Sequence, residues 1–317
     1  MELGYALSSE EHGARDLVRY AAGAERAGFA FALISDHFHP WIDRQGQSPF
    51  VWGVLGAIAE RTERIRVGTG VTCPTMRVHP AIVAQAAATA ASLLPHRFFL
   101  GVGSGENLNE HIMGSGWPAA DVRLEMLEEA VEVIRRLWSG QPTTHRGRHF
   151  TLEEARLYSL PECAPKIAVA AKGLHAAALA GRIGDALVSA SPDASVVDAF
   201  DAAGGGGKPR YGQLHVCWAD TEEDARKIVL DRWPNSALPG DLDTELPLPR
   251  HFEQASSILS DAAIADAVLC GPDPERHLAA IREFEDAGFD HVYVHQVGSD
   301  QLGFFDFYRS EVMPKLG

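Results

Sequence analysis

Three short segments carry the residues best suited to chemistry. Ser35-Asp36-His37-Phe38-His39-Pro40-Trp41 sets an acid beside an imidazole, and a histidine there can exchange a proton near neutral pH. Gly68-Thr69-Gly70-Val71-Thr72-Cys73-Pro74-Thr75 closes an apolar run. Gly101-Val102-Gly103-Ser104-Gly105-Glu106-Asn107-Leu108-Asn109 is glycine-rich, so a flat ligand can lie close to its backbone. Glu106 is a candidate acid or anion-stabilising partner. Plainer readings stand beside these: His37 can cap a loop carbonyl, and Glu106 can support a helix start. Asp36, His37 and His39 suggest a metal set, but alternate strand residues face opposite ways and no H-E-x-x-H or similar partner is present. His145 and His149 lie in a polar stretch and read as solvated. Neither G-x-S-x-G nor a P-loop occurs, so acyl and phosphoryl transfer have no motif behind them.

These segments need a frame. β-like runs at Leu3–Leu7, Ala30–Ser35, Ile65–Val71, Phe98–Val102, Ile167–Ala170, Ala186–Ala190, Gln213–Trp218 and His291–Gln296 alternate with helical patterns such as Ala14–Ala27, Ala81–Leu94 and Arg123–Trp138. Several runs are almost wholly apolar, as parallel strands covered on both faces require. The alternation predicts an α/β fold, a (β/α)₈ TIM barrel or a doubly wound open sheet. A weak repeat favours the barrel: Glu25-Arg26-Ala27-Gly28-Phe29-Ala30 and Glu285-Asp286-Ala287-Gly288-Phe289-Asp290 each end a helix at glycine and start a strand at phenylalanine. A barrel would gather the three segments at the C-terminal ends of its strands. One domain over 1–317 is expected, with a β-rich excursion at Thr143–Leu160 and a proline- and acid-rich loop or lid insertion at 233–249. Gly204–Gly207 reads as a flexible turn without the strand–G-x-G-x-x-G–helix context of a dinucleotide site.

The 317 residues hold 28 Lys+Arg against 43 Asp+Glu, a formal net charge of −15. Such a surface repels nucleic acid and anionic lipid, so neither is an expected partner. Ala81–Leu94 is too short, and too interrupted by Gln85 and Thr89, for a membrane span. Met1-Glu2-Leu3-Gly4-Tyr5 lacks the pattern of a signal peptide, and Cys73, Cys163, Cys217 and Cys270 show no C-x-x-C, so a cytoplasmic protein with reduced thiols is expected.

At the three segments the chain resembles the luciferase-like superfamily of flavin and deazaflavin oxidoreductases, over nearly its whole length. Ser35–Trp41 is similar to the S-D-H-F-x-P-W signature of the deazaflavin-dependent glucose-6-phosphate dehydrogenase group, and Gly101–Asn109 to its G-V-G-x-G-E-x-L-N. Arg44–Ser48, Asn109–Ile112 and Ala155–Pro161 resemble a sister subgroup thought to use ordinary flavin, which leaves the cofactor open between coenzyme F420 and FMN. The resemblance implies a bacterial-luciferase-like (β/α)₈ barrel with insertions, and a homodimer. It implies His37 as the base, Trp41 as a wall of the site, Glu106 as acid or anion partner, and Glu10 as a substrate-side carboxylate. It places cofactor contacts at Asp36, Gly70, Val71, Cys73, Ser104, Gly105, Asn109, Ala171, Lys172 and Gly173. Among these, Gly70–Val71 would be a non-prolyl cis peptide, and Ala170–Gly173 would hold the cofactor phosphate, with Lys172 an added cation or simply an exposed lysine. The cations that hold the sugar phosphate in that group fall here on Pro192, roughly Asp243, and Ala267. The expected reaction is therefore hydride transfer between F420 or FMN and a small non-phosphorylated alcohol, ketone or enone. A flavin-dependent monooxygenase and a non-catalytic flavin-binding protein are the alternatives.

Overall fold

A computed structural model describes residues 1–316. Eight parallel strands form the frame: β1 (Glu2–Leu7), β2 (Phe31–Ile34), β3 (Arg66–Thr69), β4 (Phe98–Val102), β5 (Lys166–Ala170), β6 (Ala186–Ser189), β7 (Arg210–Cys217) and β8 (His291–Gln296). Each expected strand is present, with β7 starting ahead of Gln213. β1 pairs with β2 (Gly4↔Phe31) and with β8 (Glu2↔His291), and β6 pairs with β7 (Leu187↔Arg210), which closes the ring. This is a (β/α)₈ barrel, and the open sheet is excluded.

The barrel helices are α1 (Ala14–Ala27), α2 (Val51–Ala59), α3 (Pro80–Leu93), α4 (Ala120–Leu137), α5 (Leu174–Ile183), α6 (Ala194–Phe200), α7 (Pro274–Asp286) and α8 (Gln301–Phe307). Their apolar stripes cover the outside of the strands. Leu127, Ala130, Val131, Ile134 and Leu137 of α4 are buried at helical spacing. The paired repeat has a structural cause. Gly28 (φ 104°) and Gly288 (φ 93°) take the left-handed conformation that ends α1 and α7. Phe29 N–H then donates to Ala24, and Phe289 N–H to Phe284. These turns feed β2 and β8, the two strands that flank β1.

The lower interior is plugged by aromatic rings. Phe99 and Tyr211 stack at 5.3 Å between centroids, and Phe31 meets Tyr211 edge-on at 5.2 Å. Gly4 makes room: a Cβ there would lie 2.3 Å from the Phe31 ring. The chemistry is thereby left to the other end of the barrel.

The β-rich excursion is an antiparallel hairpin, Thr143–Arg146 with Thr151–Ala155. The insertion runs further than 233–249. Helices Pro249–Ser256 and Asp261–Asp266 follow its turns at Pro234–Ala237 and Leu242–Glu245, and it rejoins the frame at Leu269–Cys270, paired with β7. The four-glycine run is only partly a turn, because Asp201–Gly205 prolongs α6 until Gly204 reverses at φ 101°. Among the described residues no helix is long and apolar enough to cross a membrane, and no His/Cys/Asp/Glu group could hold a metal ion.

Candidate active site

Strand ends deliver the site. The loop after β1 carries Glu10, the loop after β2 carries His37, and the loop after β4 carries Glu106. His37 Nδ1 lies 3.3 Å from Glu10 Oε1, and its Nε2 lies 3.3 Å from Glu106 Oε2. One imidazole thus bridges two carboxylates, with 9% of its side chain exposed against 4% for Glu10 and 33% for Glu106.

The two carboxylates are not equivalent. Burial acts to raise Glu10, but His37, the Ser35 and Ser8 hydroxyls and a backbone N–H together hold it below the ordinary glutamate range. The Ser35 and Ser8 hydroxyls donate to its Oε2 at 2.7 and 2.9 Å. Glu106 goes the other way: burial raises it, Asp243 and Glu10 add to that, and His37 opposes. Burial depresses His37, yet Glu10 and Glu106 overcome it and leave the imidazole above its ordinary value. Neighbouring groups driven in opposite directions are the arrangement proton transfer needs.

The surrounding loops are pinned. Asn109 is a staple: its Oδ1 accepts from the backbone N–H of Phe38 (2.8 Å) and His39 (3.1 Å), and its Nδ2 donates to Glu106 Oε2 (2.9 Å). Asp36 has both oxygens occupied, by Thr72 Oγ1 (2.7 Å) and Arg77 Nη2 (2.9 Å). Trp41 stands edge-on to His37 at 5.0 Å and to Phe252 of the insertion at 5.3 Å, a wall between base and insertion. Its backbone N–H donates to Gln45, whose amide reaches Arg232 O.

Two cavities meet at His37 and Glu106. One, of about 800 Å³, is lined by Asp36, Gly70, Val71, Cys73, Ser104, Gly105, Asn109, Ala171, Lys172 and Gly173, so every expected cofactor position faces one space. The Gly70–Val71 peptide is cis. Gly105 sits at φ +85°, and a Cβ there would lie 2.6 Å from Cys73 Sγ. Burial pushes the Cys73 thiol far up, so it is a packing group and not a nucleophile. At the far end Gly173 caps α5, whose first N–H groups form an anion-accepting terminus. Lys172 is exposed, the plainer of the two expectations, and its Nζ donates to Gly240 O (2.6 Å) and Asp243 Oδ1 (2.9 Å), tethering the insertion. The space suits a flat ring at the His37 end and a phosphate at the α5 end. The other cavity, of about 390 Å³, is lined by Glu10, Trp41, Ser35, Gln213, His215, Tyr293 and His295, beneath Trp233 and Leu238 of the insertion.

Two features escape the sequence reading. Arg77 binds Asp36 and also lies against Glu110, its N–H donating to Glu110 Oε2 at 2.7 Å. Burial pushes Glu110 up to about 7, with Arg77 opposing. A lone arginine in the loop after β3, ahead of an apolar helix, was the available signal. The second is the pair His215 and His295, visible beforehand only as histidines inside apolar strands.

Comparison with known proteins agrees with this geometry. The sequence profile of the luciferase-like monooxygenase family matches residues 1–291. The F420-dependent glucose-6-phosphate dehydrogenase of Intrasporangium calvum is 36% identical over 343 aligned positions, spanning 100% of this chain and 99% of the relative. That of Tsukamurella paurometabola is 34% identical over 342, spanning 100% and 98%. A solved F420-dependent secondary alcohol dehydrogenase, in complex with an F420–acetone adduct, superposes with a TM-score of 0.91 at 29% identity over 98% of each chain. With its closed barrel and its strand-end histidine between two carboxylates, the chain belongs to the luciferase-like monooxygenase family of oxidoreductases.

Proposed function

We propose that the protein is an F420-dependent dehydrogenase acting on an uncharged secondary alcohol, or reducing the corresponding ketone. One observation carries the choice of substrate. No lysine or arginine lines the substrate-side cavity among the described residues, whereas Glu10, Glu106 and Asp243 do. A sugar phosphate held there would have no cation to replace its hydration. Pro192 and Ala267 line the adjoining cleft, whose Arg226 and Arg276 are already engaged by Asp266 and Glu222.

A deazaflavin ring bound in the larger cavity would supply the hydride chemistry. Asp36, Gly70, Val71, Ser104, Gly105 and the start of α5 would hold it. The protein's own part is the proton. His37, fixed from one side by Glu10, takes the hydroxyl proton as the alcohol is oxidised. Glu10 stays ionised and stabilises the imidazolium. Glu106, raised by burial, holds or releases a proton beside His37 Nε2. Trp41 and the insertion exclude water from the reacting carbon.

The test follows F420 absorbance with purified protein and a panel of secondary alcohols, beside glucose 6-phosphate. F420 reduction by alcohols, with little or none from the sugar phosphate, is expected. A preference for glucose 6-phosphate would overturn the substrate reading. Tight FMN binding with substrate-dependent oxygen uptake would overturn the cofactor reading.

A further inference from the structure

Glu11 follows Glu10 in sequence, but its carboxylate turns to the other side of the mouth. Its Oε1 accepts from the Gly298 N–H at 3.1 Å, and its Oε2 lies 2.9 Å from His295 Nε2. His295 Nδ1 in turn lies 2.9 Å from His215 Nδ1. The two histidines are register partners on β8 and β7, and the Trp233 ring covers them, 4.4 Å from His295. The side chains of His295 and Glu11 are 2% and 5% exposed.

With His295 neutral, counting protons gives the polarity of this chain. A carboxylate only accepts, so His295 Nε2 carries a hydrogen. A neutral His295 then has a bare Nδ1, and His215 Nδ1 must donate to it. His215 Nε2 is left bare and accepting. His215 is bonded to the protein through Nδ1, and its ring lines both the substrate-side cavity and the adjoining cleft. Burial depresses His215 to about 3, so the ring is neutral. The cavity, at about 390 Å³, falls within the range of about 300–1,000 Å³ for ligand sites and exceeds what a three-carbon alcohol fills.

We propose that His215 Nε2, oriented through His295 and Glu11, is a specificity-determining acceptor for a hydroxyl on a second carbon of the substrate, which makes the substrate class an uncharged diol or polyol. The proposal rests on the reading of this cavity as an alcohol site. A mono-alcohol brings no donor of its own to the His215 lone pair, and that omission is where discrimination arises.

Three probes separate the outcomes: cyclohexanol, cis-cyclohexane-1,2-diol and the acceptor-only ether cis-2-methoxycyclohexanol. Each is titrated against the full chain without cofactor, by saturation-transfer NMR, and each is tried as a reductant of F420. The diol should bind about tenfold or more tighter than either partner probe, the scale of one hydrogen bond to a buried group. His215→Phe should bring the diol-to-cyclohexanol ratio to about one. Glu11→Gln gives a readout that a merely structural role would not move. The Gly298 N–H keeps the amide oxygen, so the amide NH₂ faces His295 Nε2 and the tautomers reverse. His215 Nε2–H then donates, which narrows or inverts the diol-to-ether ratio. ¹⁵N NMR of the imidazoles should show His215 Nε2 unprotonated in the wild type and protonated in Glu11→Gln. Equal wild-type binding of diol and cyclohexanol, no binding of the diol, or a protonated wild-type His215 Nε2 would each overturn the proposal. Diol preference without F420 reduction would instead sink the dehydrogenase reading and leave this one standing.

Discussion

Two histidine networks share one barrel mouth, and His37 of the one and His215 of the other are shifted in opposite directions. In the first, a single imidazole lies between two carboxylates, Glu10 and Glu106, and is raised. In the second, two imidazoles share one carboxylate, Glu11, and the outer one, His215, is depressed to about 3. Their carboxylates are consecutive residues. Burial acts to depress both His37 and His215, and the two carboxylates beside His37 reverse the direction there. On the reading proposed above, one network carries charge and the other recognises.

The largest break in this contrast removes the charge-carrying ring. His37→Ala should lower kcat by about 10²–10⁴, the range for a lost general base, with the F420 dissociation constant within about threefold of wild type. Turnover that survives the substitution would remove His37 from its role.

A second break takes away the footing beneath His37. Arg77 is the cation between Asp36 and Glu110, all three with side chains under 10% exposed. Arg77→Leu leaves two buried carboxylates uncompensated, a loss of about 3–5 kcal/mol. A fall in Tm of roughly 10 °C by calorimetry is expected. An unchanged Tm would mean that water already reaches the pair.

Conservative substitutions at the two consecutive acids sharpen the contrast. Glu10→Gln removes the main charge that lifts His37 against burial. The imidazole then loses its proton more readily, so the acid limb of the pH–kcat/KM profile moves to lower pH, with about a tenfold lower plateau. Glu11→Gln should leave that limb in place. If both variants shift it alike, the networks are coupled and the contrast fails.

The smallest effect is on stability. Glu110 is raised to about 7, chiefly by burial. A raised carboxyl contributes fully below the ordinary glutamate range, and that contribution is lost as pH rises through about 7. Glu110→Gln should therefore gain a few degrees of Tm on wild type between about pH 5 and about pH 8. Parallel melting curves would show that Glu110 does not titrate across that window.

Legibility in the sequence tracked the range of the interactions. All eight barrel strands could be read because each is a short local run, several of them almost wholly apolar, between helical patterns, and the Gly–Phe turns because Gly28 and Gly288 act within their own helix ends. His37 and Glu106 stood out through their neighbours, Asp36 and Gly105. The partners that give them their character did not. His215 and His295 are 80 residues apart, and Arg77 is 33 residues from Glu110 and 41 from Asp36. The insertion ran past 249 because Pro249–Ser256 and Asp261–Asp266 are short, and their apolar partners, such as Trp41 for Phe252, lie on distant loops. Lys172 looked free for a phosphate because Asp243 is 71 residues away.

The ring of Phe31, Phe99 and Tyr211 that fills the lower barrel bears on how this scaffold can change. It packs against Leu33, Val71, Ala170 and Tyr293 and not against His37 or Glu106, so substitutions in the ring and at those two residues should combine additively in free energy. The mouth loops can then exchange acids, histidines or insertion residues while the floor keeps the strands in register. Repeated alteration of substrate preference, by selection or by design, is a property of that separation.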